Sequence, residues 1–114
     1  MTWFHEIEKN QVGALLRWQD DHLGAHYLME YEGGERYIVR GFASYQSDNM
    51  GDLSGKFSDP ELDPEYDEFY EMVYEIVEVI SDGEHRSNNF LALNYRDFPA
   101  RITDADTGAV IYPV

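Results

Sequence analysis

The sequence predicts an α+β fold: an antiparallel sheet of four or five strands, with an N-terminal helix and a long acidic helix packed on one face. Three observations support this class. Apolar residues recur at helical spacing in two segments, paired glycines separate two runs of β-forming residues, and a second pair of such runs closes the chain. At 114 residues we expect a single domain, 1–114, that is large enough to bury a core.

The first predicted element is a helix over about residues 3–21, with Thr2 as its cap. Its apolar residues share one broad face, but Gln11 interrupts that face and Gly13 weakens the middle of the helix. A break near residues 10–13 is therefore expected.

The first predicted hairpin joins a strand over residues 26–32 to a strand over residues 36–45. Gly33 and Gly34 lie between them and supply the positive φ angles that a tight turn requires. Residues 46–63 are then predicted to form a long loop, because Asp, Gly, Ser, Asn and Pro dominate that stretch.

The last part of the chain predicts a strand over residues 89–96 and a second hairpin. The strands of that hairpin cover residues 101–104 and 109–112. The polar run between them ends in Gly108 and is typical of a turn.

Residues 57–85 hold 11 acidic residues and no Lys or Arg, and they also carry the best helix pattern in the chain. Asp63 suits the N-cap, Pro64 suits the first helical position, and Gly83 is a plausible stop. At about 100° per residue, one face of this helix is apolar. The opposite face carries a stripe of five carboxylates: Glu68, Glu71, Glu75, Glu78 and Asp82.

Such a stripe is costly, because like charges three or four residues apart destabilise a helix by roughly 0.2–0.5 kcal/mol per pair. Acids in the last turns also oppose the helix macrodipole. We interpret the tolerated repulsion as a sign of a cationic partner that meets the stripe and its bordering residues Tyr70 and Tyr74. The acids of the preceding loop extend the predicted binding surface: Asp59, Glu61, Asp63, Glu65 and Asp67.

Composition narrows the class of partner. The net charge is −15, yet the chain without residues 57–85 holds 12 acids and 8 bases, so the negative charge is mostly local and favours docking. Direct binding to nucleic acid or to an anionic membrane is not expected, because no basic patch offsets phosphate repulsion.

Composition also bounds the location. The absence of cysteine excludes disulfides, zinc–thiolate sites and cysteine nucleophiles. No apolar run approaches the length of about 20 residues that a membrane span needs, and the first residues, MTWFHEIEKN, do not form a signal-peptide pattern. The expected location is the cytoplasm.

Few residues of the sequence suggest a metal site or a catalytic site. His22 and His26, with Asp20 and Asp21, could offer metal ligands, but Gly24 should end the helix between them, so solvated loop residues are the preferred interpretation. No nucleophile elbow, phosphate-binding glycine loop or metalloprotease helix is present. We therefore expect no enzyme and no cofactor.

Two loops contain oxygen ligands suited to a cation. Asp104 and Asp106 before Gly108 are similar to the start of a calcium loop, although a plain hairpin turn is the preferred interpretation. The predicted loop over residues 46–63 shows no ligand spacing that stands out, although it holds three oxygen-bearing side chains: Asp48, Asn49 and Asp52.

Three features occur together in one order. Trp18 lies nine residues before Tyr27, the segment DEFYEMVYEIVEVI follows the first hairpin, and LNYRDFPARITDAD comes after it. This order, over roughly residues 15–112, resembles a group of small bacterial domains of unknown function that are usually exported lipoproteins. The resemblance implies a fold and no activity, and this chain departs from the group in its lack of an export signal and a lipid-anchor cysteine. The concentrated acidity and the size are similar to those of phage-encoded DNA mimics, such as anti-restriction and anti-CRISPR proteins.

The sequence therefore predicts a small acidic inhibitor or interaction protein. Its carboxylates would stand in for phosphates on the basic nucleic-acid-binding site of a partner, such as a nuclease or a CRISPR effector. An immunity protein for a toxic nuclease would use the same physics. Two further hypotheses are an acidic accessory domain without DNA mimicry, and a metal protein or enzyme that uses His22 and His26.

Overall fold

A computed structural model of the chain describes residues 3–50, 53, 55 and 59–113. The predicted cap Thr2 and the loop residue Asp52 lie outside the described residues. The elements in chain order are a 3-10 helix Glu6–Lys9, α1 Val12–Asp21, β1 His26–Glu30, β2 Arg36–Asp48, a 3-10 helix Pro60–Leu62, β3 Glu68–Ser81, β4 Arg86–Ser87, β5 Phe90–Leu93, β6 Arg101–Asp104 and β7 Val110–Tyr112.

The strands form one seven-stranded sheet in the order β4-β5-β3-β2-β1-β6-β7, and every neighbouring pair is antiparallel. Helix α1 packs on the sheet through Val12, Ala14 and Leu15, which join one buried core with side chains from β1, β2, β3, β5, β6 and β7. The class is α+β in content, but the predicted sheet of four or five strands is wrong.

The predicted acidic helix is also wrong, because most of that segment is β3, a strand of 14 residues. Met72, Tyr74 and Ile76 are buried and alternate with the half-buried Val73 and Glu75, which is the period of two of a strand. The helix start at Asp63 is wrong beyond its first turn. The Asp63 side chain accepts a hydrogen bond from the N–H of Glu65 at 2.9 Å, and no helix follows.

Two physical effects favour the strand. The segment is rich in aromatic and β-branched residues, which fit a pleated surface better than a helix. In addition, a rise of roughly 3.3 Å per residue moves side chains four residues apart to about 13 Å, whereas a helix holds them about 5–6 Å apart. The strand therefore relieves the repulsion between Glu71 and Glu75 that a helix would impose.

Strand β2 runs three residues further than predicted, into the segment predicted as loop. It pairs with β3 along its whole length, from Arg36 opposite Ser81 to Asp48 opposite Glu68. Strand β1 covers only residues 36–40 of β2, so the far half of the β2–β3 ribbon has no β1 neighbour. That half carries much of the predicted acidic surface.

Several local predictions are confirmed. The N-terminal helix is broken near residue 10, where a 3-10 helix gives way to α1. The Gly33-Gly34 turn closes the first hairpin, with Gly34 at a φ of 96°. The hairpin formed by β6 and β7 also matches its prediction, with Gly108 at a φ of 81°.

Candidate functional site

The five carboxylates of the predicted stripe do not form one row. Glu71 and Glu75 alternate with buried residues on β3, while irregular pairing opposite Ile38 and Val39 interrupts the alternation before Glu78. Asp82 lies beyond the end of the strand. The five carboxylates therefore do not form the continuous negative stripe along a helix that the sequence predicted.

Two members of the stripe are ion-paired with arginines of the same chain. Glu75 accepts hydrogen bonds from Nε and Nη2 of Arg40, the former at 2.9 Å. Asp82 accepts from Nε of Arg86 at 2.7 Å and from Nη2 at 3.0 Å. The hydrogen bonds from Arg86 and from the N–H of Gly83 lower the pKa of Asp82. These two carboxylates are poor candidates for a partner's cations.

Three further predicted binding residues are buried or partly buried and contact other residues of the protein. Tyr74 is fully buried, and its hydroxyl donates to Gln19 Oε1 at 2.6 Å, so its assignment to a binding surface is wrong. Tyr70 is half-buried, and its ring packs edge-on against Trp3 at a centroid distance of 5.2 Å. Asp67 is mostly buried; its carboxylate contacts His5 Nε2 at 2.6 Å and the Tyr95 hydroxyl.

The surroundings of Asp67 fix its charge. Burial alone would raise the pKa of its carboxyl, but hydrogen bonds from Tyr95 and His5 outweigh burial and lower that pKa. Burial together with the hydrogen bond to Asp67 raises the pKa of Tyr95 to about 12. Asp67, His5 and Tyr95 together connect the residues before the first 3-10 helix to the start of β3, so their role is structural.

Glu71 and Glu78 lie within β3, where Glu71 accepts a hydrogen bond from the Tyr45 hydroxyl at 3.0 Å. The five predicted acids that remain lie, together with Asp48, at the far end of the β2–β3 ribbon. We name this surface the acidic end and define it by six residues: Asp48, Asp59, Glu61, Asp63, Glu65 and Glu68. None of them is ion-paired with a base that the structure describes.

Tyr66 and Asn49 organise the acidic end. The Tyr66 hydroxyl donates to Glu68 Oε1 at 2.9 Å, and Asp48 Oδ2 lies 3.5 Å away. The hydrogen bond to Glu68, burial, and the charges of Glu68, Asp48 and Glu61 together raise the pKa of Tyr66 to about 12. Asn49 is buried; it donates to the Glu65 carbonyl at 2.7 Å and accepts from the Asp67 N–H at 2.8 Å. Tyr66 thus holds the carboxylates of Asp48 and Glu68 near each other, and Asn49 fixes the backbone of Glu65 and Asp67 beside them.

The histidines weighed as metal ligands have other partners. The His22 ring stacks on Trp18 at 4.0 Å, and its Nδ1 lies 3.0 Å from the Trp18 carbonyl oxygen. His26 Nδ1 lies 3.5 Å from Asp106. Within the described residues, no group of three or more His, Asp or Glu side chains could hold a metal ion.

Asp104, weighed as a calcium ligand, caps its own turn. Its Oδ1 accepts from the N–H groups of Asp106 and Thr107, and its Oδ2 accepts from Trp18 Nε1 at 2.7 Å. Burial alone would raise the pKa of Asp104, but these hydrogen bonds lower it. The carboxylate thus joins α1 to the β6–β7 turn, which supports the plain-turn interpretation.

A second candidate site is a cleft of about 590 Å³ that the sequence did not suggest. It lies between the β1–β2 turn, the loop after β3 and residues 95–100, and His85 forms part of its wall. His85 Nδ1 contacts buried Glu35, and His85 Nε2 lies 3.2 Å from Asp97. The imidazole also stacks on Tyr31, with the ring centroids 3.9 Å apart.

Glu35 is the anchor of that wall. It accepts from the Tyr37 hydroxyl at 2.6 Å and from the His85 N–H at 3.0 Å, besides its contact with the ring. Burial alone would raise the pKa of Glu35, but the hydrogen bonds from Tyr37 and His85 outweigh it and hold the pKa below its ordinary value. The wall is therefore held in place without a ligand.

Sequence reasoning missed this site because its residues are scattered along the chain. Glu35 follows a turn, His85 follows a presumed helix stop, and neither belongs to a motif. Gly83 offers one signal: a Cβ there would lie 2.1 Å from Glu35 Cδ, so the loop approaches the buried carboxylate too closely for any side chain. A glycine between two acids, Asp82 and Glu84, is compatible with such an approach but does not reveal it.

No family model matches this chain, and neither a curated protein nor a solved structure matches it. The resemblance to small bacterial lipoprotein-like domains therefore stays a prediction. Among the described residues, no helix is long and apolar enough to cross a membrane.

Proposed function

We propose that this protein is a small acidic interaction protein that docks its acidic end on the basic nucleic-acid-binding surface of a partner protein. The observation that carries the proposal is the group of six acids at one end of a paired ribbon, none of them ion-paired with a described base. Two of them, Asp48 and Glu68, meet at the Tyr66 hydroxyl. We propose that the protein is located in the cytoplasm, because a chain without cysteine forms no disulfide and so needs no oxidising compartment.

Electrostatic competition is the proposed mechanism. The carboxylates take the places that phosphates would occupy, and they meet Arg or Lys side chains of the partner in charge-assisted hydrogen bonds. Because the charge is concentrated, association is fast and weakens as salt is added. A nuclease held by an immunity protein and a CRISPR effector held by a phage inhibitor are both partners of this kind.

The acidic end and the predicted helix stripe consist of different sets of residues. Glu75, Asp82, Asp67 and Tyr74 leave the proposed surface, because they are ion-paired or buried. Asp48 joins it, because Tyr66 lies close to both Asp48 and Glu68.

The test is displacement of fluorescent duplex DNA from a panel of basic nucleases and CRISPR effectors. We expect the wild-type protein to displace DNA from at least one panel member. A triple variant, Glu61→Gln with Glu65→Gln and Glu68→Gln, is expected to displace DNA about tenfold less well, if each lost charge pair contributes about 0.5 kcal/mol.

A matched triple variant removes the same charge elsewhere: Asp20→Asn with Asp21→Asn and Glu84→Gln, three exposed acids outside the acidic end. It is expected to displace DNA as wild type does. Failure of the wild type on every panel member would leave the acidic accessory domain as the better interpretation. Equal loss in both variants would show that net charge, rather than the acidic end, drives binding.

A further inference from the structure

One residue that lines the cleft beside His85 has a buried polar atom without a partner in the described part of the chain. Gln11 lines the cleft with 4% of its surface exposed, and its Oε1 has no hydrogen-bond partner among the described residues. A buried acceptor left unsatisfied costs about 1–3 kcal/mol, so such atoms usually mark a site that a ligand or water completes. Gln11 Oε1 needs a donor.

The other polar groups of the cleft also favour a donor. Glu32 is exposed and has no ion pair among the described residues, and the Asp97 side chain is 53% exposed although it contacts His85. Arg96 is the opposing charge, and its Nε lies 4.0 Å from Asp67. His85 is the other basic side chain of the lining, and it lies between Glu35 and Asp97. Among the described contacts, neither base is paired with Glu32 or with Gln11 Oε1.

The apolar part of the lining includes aromatic side chains. Tyr95, Phe98 and Tyr112 line the cleft, and the Phe98 and Tyr112 rings meet edge-to-face at 4.9 Å. Aromatic faces attract ammonium and guanidinium groups by about 0.5–2 kcal/mol. A volume of about 590 Å³ lies within the range of small-molecule sites, which is roughly 300–1,000 Å³.

We propose that this cleft binds an organic cation, a guanidinium or an alkylammonium group, whose N–H groups donate to Gln11 Oε1 and to the carboxylates of Asp97 and Glu32. The fixed pair of Glu35 and His85 preforms one wall, so binding requires little rearrangement there. The inference does not rest on the proposed function, because no residue of the acidic end lines the cleft. The cation is either a free small molecule or an arginine or lysine side chain of a protein.

The test uses butylguanidinium and its neutral isostere butylurea, with binding followed by amide chemical shifts in the intact protein. Butylguanidinium is expected to shift the amides of the cleft residues saturably and to bind at least about fivefold more tightly than butylurea, because only the cation gains charge and cation–π attraction. Equal affinity of the two probes, or shifts confined to residues outside the cleft, would overturn the proposal.

Variants locate the contacts. Gln11→Met removes the acceptor and keeps the side-chain length, and Asp97→Asn removes one carboxylate charge. Each is expected to weaken butylguanidinium binding about three- to tenfold, whereas Asp20→Asn, with the same change in net charge as Asp97→Asn, leaves it unchanged. If Gln11→Met fails to fold, the comparison of Asp97→Asn with Asp20→Asn decides, and equal affinities in that pair contradict the site.

Two further probes separate the sources of the cation. Spermidine represents a free polyamine, and the peptide acetyl-Gly-Arg-Gly-amide represents a protein side chain. Both carry the proposed chemistry, so tighter binding of either supports the cleft and names its source. Binding of neither, under conditions in which the wild-type fold is intact, is evidence against the proposal.

Discussion

At the scale of single residues, Glu35 is a buried carboxylate whose ionisation should affect the stability of the fold. It is buried beside Tyr37 and His85, it accepts hydrogen bonds from both, and Gly83 leaves it the space it occupies. A buried carboxylate that accepts several hydrogen bonds stabilises the fold only while it is ionised. Its titration should therefore be visible in the stability of the whole protein.

We predict that Glu35→Gln lowers the free energy of unfolding by about 1–3 kcal/mol near neutral pH, because an amide cannot accept all the hydrogen bonds of the carboxylate. Folding lowers the pKa of Glu35 below its ordinary value of 4.5, so the unfolded chain binds the proton more readily than the folded chain does. The stabilising contribution is complete above pH 4.5 and is lost as the pH falls through the lower, folded-state pKa.

Urea unfolding of wild type and Glu35→Gln at a series of pH values measures this effect. The difference between the two proteins should narrow as the pH falls below 4.5. Glu84→Gln, at an exposed neighbouring acid, is the control and should match wild type throughout. A difference that stays constant down to about pH 3 would contradict the assigned hydrogen bonds.

At the scale of elements, β3 decides the architecture, because it is the third strand of the sheet and pairs with both β2 and β5. A helix and a strand bury different residues of the same segment. A helix would bury Val73 and place Tyr74 at the border of the acidic face. The strand buries Tyr74 completely and leaves Val73 half-buried.

This contrast gives a matched pair of substitutions. Tyr74→Ser should cost about 3–5 kcal/mol, because it opens a cavity in the core and removes the hydrogen bond to Gln19. Val73→Ser should cost about 1 kcal/mol, because it removes a half-buried side chain and some β propensity. Chemical unfolding of both variants measures the two losses of stability. A larger loss for Val73→Ser would contradict the strand and favour the helix predicted from the sequence.

At the scale of the whole molecule, a body of 48 × 31 × 22 Å carries a net charge of −15, most of it in one segment. Ion pairs such as those of Arg40 and Arg86 relieve part of the repulsion, whereas the acidic end has no such relief from described bases. Self-repulsion of this kind destabilises the compact state and is screened by salt.

We predict that the free energy of unfolding rises as NaCl increases from about 0.02 M to about 0.5 M, since the Debye length falls well below the size of the molecule. The triple variant at Glu61, Glu65 and Glu68 should show a smaller rise than the triple variant at Asp20, Asp21 and Glu84, although both carry the same net charge. Thermal unfolding at each salt concentration measures this. Equal salt dependence of the two variants would mean that the six acids are too far apart to repel one another.

The locally encoded parts of this protein could be predicted from the amino-acid sequence. Paired glycines placed the first hairpin, the polar run before Gly108 placed the second, and Gln11 marked the break that precedes α1. Each of these depends on backbone preferences within a few residues. The concentration of acid in one segment was equally plain, since charge is a property of composition.

Long-range pairing was needed to decide whether residues 68–81 are a helix or a strand. The apolar residues there fit a period of 3.6, while residues 72–76 also fit a period of two, and pairing with β2 and β5 selects the second. The same pairing ties Glu75 to Arg40 and brings Asp48 opposite Glu68. The tertiary fold also brings Gln11 and His85 to one cleft, with Glu35 behind His85. Contacts between residues so far apart in sequence arise only from folding, which is why the local acidic pattern contained five acids of the acidic end but neither Asp48 nor the cleft.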